Sequence, residues 1–135
     1  MTESSGVSAN ESPRTVIVIA EDDPDILQLV AIRLERSGYE ILRARDGEQA
    51  VQLVSEHIPD LVVLDVLMPK LTGLEVTRRI REDPATREIP VILLTARVEE
   101  ADIKAGLEAG ATAYLKKPFS PQELQERVRT ILDSR

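Results

Sequence analysis

Short runs of consecutive apolar residues constrain this chain most. Thr15-Val16-Ile17-Val18-Ile19-Ala20, Leu61-Val62-Val63-Leu64 and Ile89-Pro90-Val91-Ile92-Leu93-Leu94-Thr95 are partly β-branched and too short for buried helices. A strand with one wet face alternates apolar and polar residues. These runs do not alternate, so each reads as a strand buried on both faces. Strands of that kind belong to parallel sheets, and parallel neighbours need a crossover between them, usually a helix.

The segments between the runs have the helical period. Pro24 suits a first helical turn, with Asp23 as its N-cap, and Gly38 stops that helix after about Ser37. Leu27, Val30, Ala31 and Leu34 share one stripe, the core face. Ile26, Leu29 and Ile32 fall off its centre, which fits either a wide core face or a docking surface. Glu40 to Ala44 reads as a second strand, and Asp46-Gly47 as a turn. Gly47 to Glu56 follows as a helix with Ala50, Val51 and Val54 inward; His57, near its end, reads as a surface or helix-dipole partner. Thr72-Gly73 opens a helix to about Asp83 in which Leu74, Val76 and Ile80 are apolar. Glu99 to Ala109 is a helix stopped by Gly110, Ala111 to Leu115 a fifth strand, and Lys116 to Phe119 a loop. Ser120-Pro121-Gln122-Glu123 is an N-terminal helix signature, with Leu124, Val128 and Ile131 as the core stripe behind it. The pattern is (βα)₅: an α/β, doubly wound, flavodoxin-like three-layer sandwich with parallel strand order 2-1-3-4-5. Residues 15–135 are expected to form this domain. Met1 to Arg14 is polar and Ser-rich, and is expected to be a disordered tail.

Composition excludes several chemistries. There is no cysteine, so thiol catalysis, disulfides and zinc–thiolate sites are out. A single histidine rules out a multi-histidine metal site. The net charge of −7 disfavours direct nucleic-acid binding. No apolar run approaches the ~20 residues of a membrane span, and no signal core opens the chain, so a cytoplasmic protein with no membrane contact is expected.

In that strand order the ends of the first and third strands meet. Glu21, Asp22 and Asp65 then converge, and three close carboxylates are relieved by protonation or by a cation. Oxygen-only ligands with open positions suit Mg²⁺. The fourth strand delivers the hydroxyl of Thr95, and the loop after the fifth delivers the ammonium of Lys117. Each has an ordinary alternative: a turn Asp, a helix-capping Thr, a solvated Lys, and for Tyr114 an edge-strand aromatic. Four such groups at successive strand ends are a joint signal.

The motifs Ala20-Glu21-Asp22-Asp23, Leu64-Asp65-Val66-Leu67-Met68-Pro69, Leu94-Thr95-Ala96 and Tyr114-Leu115-Lys116-Lys117-Pro118-Phe119 carry a resemblance over about residues 15 to 133. The chain resembles the receiver domain of bacterial two-component response regulators, the chemotaxis regulator among them. That member is itself an instance of the 2-1-3-4-5 order, so the order is implied by resemblance as much as by the five units. The resemblance implies that Asp65 is the phosphoacceptor, with a histidine kinase or histidine phosphotransfer protein as donor. It implies Mg²⁺ held by Glu21, Asp22, Asp65 and the Leu67 backbone carbonyl. Thr95 would be the switch hydroxyl, Tyr114 the switch aromatic and Lys117 the phosphoryl-binding lysine. A cis peptide is expected at Lys117-Pro118. Output would pass through the face of the fourth helix, fifth strand and fifth helix to a downstream protein. Ile26 and Leu29, beside the acidic cluster, are expected to dock the donor. Leu67 and Arg97 would flank the path of hydrolytic water, and slow self-dephosphorylation is expected. The chain would catalyse only its own phosphorylation and dephosphorylation and would not be an enzyme acting on other substrates.

Rival readings are a pseudo-receiver that binds proteins without being phosphorylated, and a Mg²⁺-dependent phosphatase with an Asp nucleophile. The intact acidic set opposes the first. The second usually carries D-x-D after the first strand and a cap segment, and neither is present here. A nucleotide-binding fold is weaker still, lacking G-x-G-x-x-G and G-K-[ST]. The chain stops at Arg135 just after the last helix, so output is expected from a partner or from a part of a longer protein. Family members that bind DNA as dimers usually carry a basic residue in the fourth helix and paired acids before the switch aromatic. Ala105, Thr112 and Ala113 stand there instead, and Arg127 of the fifth helix lacks its acidic partner.

Overall fold

The computed structural model describes residues 14–96 and 99–135. Strands and helices alternate: β1 (Val16–Ala20), α1 (Pro24–Arg36), β2 (Glu40–Ala44), α2 (Gly47–His57), β3 (Leu61–Asp65), α3 (Gly73–Glu82), β4 (Val91–Thr95), α4 (Glu100–Ala109), β5 (Ala113–Lys116) and α5 (Pro121–Ser134). Among the described residues the five strands form one parallel sheet in the order β2-β1-β3-β4-β5. The expected topology and fold class are therefore observed.

Strand residues point alternately to the two faces, and each face has its own apolar layer. Ile17, Ile19, Leu61, Val63, Ile92 and Leu94 pack with Leu27, Val30, Ala31 and Leu34 of α1 and with Leu124 and Val128 of α5. Val18, Val62, Leu64, Val91 and Leu93 pack on the other face with Ala50 and Val54 of α2 and with Val76 and Ile80 of α3. Burying each branched side chain contributes roughly 1.5–3 kcal/mol, which is why the central strands tolerate no polar alternation. The predicted α1 stripe is the buried set of that helix.

Local chemistry sets the helix starts. Asp23 Oδ1 accepts from the backbone N–H groups of Asp25 and Ile26, at 2.9 and 3.3 Å. Asp46, expected in a turn, caps α2 through its side chain. Thr72 with Glu75, and Ser120 with Glu123, form capping boxes. Boundaries differ in small ways. Pro90 has no N–H to pair, so β4 begins at Val91 and not at Ile89. β5 begins at Ala113 and not at Ala111, because the Thr112 side-chain hydroxyl, in place of a strand carbonyl, accepts the Val91 N–H at 3.0 Å. Val51, expected inward, is half-buried. The expected cis bond stands at Lys117-Pro118.

Candidate functional site

The C-terminal ends of β1 and β3 lie side by side in register, with Ala20 opposite Leu64. Glu21 and Asp22, which follow β1, are therefore brought beside Asp65, the last residue of β3. Glu21, Asp22 and Asp65 each offer a carboxylate oxygen, and these atoms lie within 4.8 Å of one another. Glu21 and Asp65 are buried, whereas Asp22 is exposed. Lys117, delivered by the loop after β5, donates from Nζ to Asp65 Oδ2 at 2.8 Å. The same ammonium lies 3.0 Å from Glu21 Oε1, near enough for charge attraction. Its direction does not make a hydrogen bond, and Oε1 is buried without one. Glu21 Oε2 accepts the Asp23 N–H at 3.2 Å, and Asp65 Oδ1 accepts the Leu67 N–H at 3.3 Å.

These contacts set the protonation. Burial, then the neighbouring Asp65 carboxyl, raise Glu21 from an ordinary 4.5 to about 7, against the pull of Lys117. Burial alone would lower Lys117, but its hydrogen bond to Asp65 and the adjacent Asp65 and Glu21 carboxylates outweigh that and hold its pKa above the ordinary value. The donor set is hard oxygen throughout, and one buried oxygen lacks a hydrogen bond. Such a set fits a small oxygen-seeking cation of the Mg²⁺ type. Asp23 is not part of it, because its side chain is committed to the α1 cap.

The loop from β3 to α3 is pinned close to this cluster. Gly73 N–H bonds to Val66 O at 2.9 Å. A Cβ at Gly73 would lie 2.5 Å from the Asp65 carbonyl oxygen, so only glycine lets α3 begin so near the carboxylate. Pro69 O accepts from the N–H groups of Gly47 and Leu71, and Lys70 takes a left-handed φ of 72°. Gly47 is held as closely, a Cβ there colliding with the Leu71 carbonyl oxygen, and in both places the sequence signal is a glycine directly after an N-cap.

Thr95 ends β4 and is 5% exposed. It lines a cavity of about 190 Å³ whose other walls include Leu67, Thr72, Ala105 and Tyr114. Tyr114 lines the same cavity and donates its hydroxyl to the α4 carbonyls of Asp102 and Ile103, at 3.0 and 2.6 Å. Leu67 is 59% exposed. Arg97 lies outside the described residues. Ile26 and Leu29 line an apolar groove of about 400 Å³ with Ala96, Pro118, Phe119 and Lys117, the last of which also faces the acidic cluster. Arg127 donates to the Tyr114 carbonyl at 2.7 Å, an internal partner that the sequence did not indicate.

Comparison with known proteins places this geometry. A sequence profile described as "Response regulator receiver domain" matches residues 17–129. The chain is 45% identical over 116 residues to the alkaline phosphatase synthesis transcriptional regulatory protein PhoP of Bacillus subtilis (strain 168), covering 86% of this chain and 48% of that protein. The chain spans about half the length of the curated relatives it matches. The chemotaxis response regulator CheY4 of Vibrio cholerae superposes with a TM-score of 0.84 at 28% identity, covering 88% of this chain and 99% of CheY4. The receiver domain of the sensor histidine kinase PA1611 of Pseudomonas aeruginosa PAO1 has a magnesium ion coordinated in its active-site cleft. It superposes with a TM-score of 0.82 at 32% identity, covering 90% of this chain and 99% of that one.

Proposed function

The chain belongs to the response regulator receiver domain family of two-component systems, and from that premise we propose that it is a phosphoacceptor that carries a signal as an aspartyl phosphate on Asp65. The observation that carries this reading is the Asp65 carboxylate at a strand end, 2.8 Å from Lys117 and within 4.8 Å of the Glu21 and Asp22 oxygens.

An Asp65 oxygen attacks the phosphorus of a phosphohistidine on a histidine kinase or histidine phosphotransfer protein. The new P–O bond forms as the P–N bond breaks, and the imidazole leaves with the electron pair and takes up a proton. Asp65 is oriented for this by Lys117 on one oxygen and by the Leu67 N–H on the other. Lys117 then meets the charge that spreads over the phosphoryl oxygens, so positioning and electrostatics carry the catalysis. Glu21, Asp22 and Asp65 would hold Mg²⁺, with the Leu67 carbonyl as a further ligand. When bound, that ion supplies charge neutralisation for the transferring group. Thr95 donates its hydroxyl to the acyl phosphate, and Tyr114 moves into the cavity between them, which biases the α4-β5-α5 surface toward its downstream protein. Later a water attacks phosphorus, the Asp65 carboxylate is released and inorganic phosphate departs. Leu67, and by the sequence Arg97, stand beside that path. The apolar groove at Ile26 and Leu29 is the dock for the donor protein.

The test is incubation with acetyl phosphate and Mg²⁺ followed by intact mass. The expected product carries one added phosphoryl group, absent in Asp65→Asn. Equal phosphorylation of that variant would remove Asp65 from the role.

A further inference from the structure

Tyr114 does not rest on α4 by chance of packing. Its hydroxyl sits in a notch of the helix and donates to two carbonyls one residue apart, those of Asp102 and Ile103. The notch exists because residue 106 has no side chain. A Cβ there would collide with the Tyr114 hydroxyl oxygen and lie 2.5 Å from the ring carbon that bears it. Gly106 is inside a helix of ten residues, a position where glycine weakens the helix relative to alanine. Its φ is not among the left-handed ones, so backbone conformation does not require glycine there. What requires it is the tyrosine.

We propose that Gly106 is a positioning residue that sets the resting state of the receiver: it seats Tyr114 outward against α4 and so opposes its move into the cavity beside Thr95. The inference rests on the reading of Tyr114 as the switch aromatic and adds the device that holds it back. Three observations fit one another. The seat is closed by two hydrogen bonds and a steric notch. The same ring lines the cavity of about 190 Å³, with Thr95 and Ala105 among its other walls. The Tyr114 carbonyl is held from α5 by Arg127, so the backbone is fixed while the ring has two places to go. A methyl group at position 106 meets the far end of a side chain and no fixed backbone, so the ring gives way first. The helix itself gains from the alanine. The substitution therefore removes the outward seat without breaking the fold.

Mg²⁺ with beryllofluoride, a phosphoryl mimic, is the probe. By linkage a variant that disfavours the resting state binds it more tightly. Gly106→Ala is expected to tighten binding on the order of fivefold, the equilibrium worth of about one net hydrogen bond. In a Tyr114→Ala background the same substitution is expected to change affinity less than twofold, since there is no ring to expel. ¹³C-labelled tyrosine spectra should show the Tyr114 ring moved in Gly106→Ala without the probe. Unchanged or weaker binding in Gly106→Ala overturns the inference, as does an equal gain in both backgrounds, which would assign the effect to helix propensity. If the wild-type protein shows no binding of the mimic, the phosphoacceptor reading itself falls, and the inference with it.

Discussion

Metal affinity at the acidic site should fall as pH is lowered through 7, and Glu21 should be the cause. Burial and the adjacent Asp65 raise this carboxyl to about 7, so near neutrality it holds a proton for much of the time. In that form it can donate toward Asp65 but offers a cation a poorer ligand. Proton and cation therefore compete for one group. With a pKa of about 7, the apparent dissociation constant rises about twofold at pH 7 and about tenfold at pH 6 relative to its alkaline limit. The assay is a Mg²⁺ titration at pH 6, 7 and 8 by calorimetry, on wild type and Glu21→Gln. Wild type should weaken about tenfold from pH 8 to 6. The amide variant should be weaker at pH 8 and nearly flat below it. The same shift acts on the metal-free fold. Because the folded pKa lies above the unfolded 4.5, the native state binds the extra proton between 4.5 and about 7. That stabilising contribution is full below 4.5 and is lost as pH rises through 7, with a size on the order of 3 kcal/mol. A Mg²⁺ affinity that is flat from pH 6 to 8 in wild type, or a slope that survives in Glu21→Gln, would refute the reasoning.

Other outcomes follow from the same geometry. Asp22→Ala should weaken Mg²⁺ binding strongly, whereas Asp23→Ala should cost about 1 kcal/mol of stability as a lost helix cap and leave the metal titration near wild type. Ile26→Ala should slow transfer from a phosphorylated kinase while acetyl phosphate labelling and the melting temperature hold; a proportional loss with both donors would place the residue in the fold instead. Leu67→Asn together with Arg97→Glu should speed decay of the phosphorylated protein, and an unchanged decay rate in the double variant counts against control of water by these side chains. Ile58, β-branched with a left-handed φ of 45° at the end of α2, should be strained, so Ile58→Asn is expected to raise stability by about 1 kcal/mol in thermal melts.

The parts of this fold that were legible are those written in local pattern. The α1 stripe of Leu27, Val30, Ala31 and Leu34 follows from a period of 3.6, and the caps at Asp23, Thr72 and Ser120 from short-range donor counting. The acidic cluster was legible one step further out, because strand order places the residues after β1 and β3 side by side. What was not legible depends on contacts between segments with no common period. Arg81 donates to the carbonyls of Gly110, Arg87 and Ile89, tying the end of α3 to the turns that lead into β4 and β5. No spacing in the sequence announces that clamp. The start of β5 is not legible because Thr112 looks like a strand residue, yet its side-chain hydroxyl accepts the Val91 N–H where a strand would offer a backbone carbonyl. The family resemblance points to Tyr114 as the switch aromatic, but Gly106 as its seat needs the distance between them.

The charges at the strand ends explain why the site is poised and not settled. A structural ion pair would match one ammonium to one carboxylate and bury both. Here Lys117 faces two buried carboxylates, Asp65 and Glu21, with Asp22 at the rim. Removing ions from water is costly unless each is fully compensated, and these are not. The shortfall shows in the Glu21 oxygen without a hydrogen bond and in its raised pKa. An ammonium has three donors, and Lys117 aligns one of them on Asp65. It therefore keeps donor capacity for an incoming oxyanion without giving up its hold on the nucleophile. A cation would relieve the remaining carboxylate repulsion, and a phosphoryl group would bring the acceptors that Lys117 still lacks. In the proposed function, a cation and an oxyanion would together supply the compensation that these charges lack.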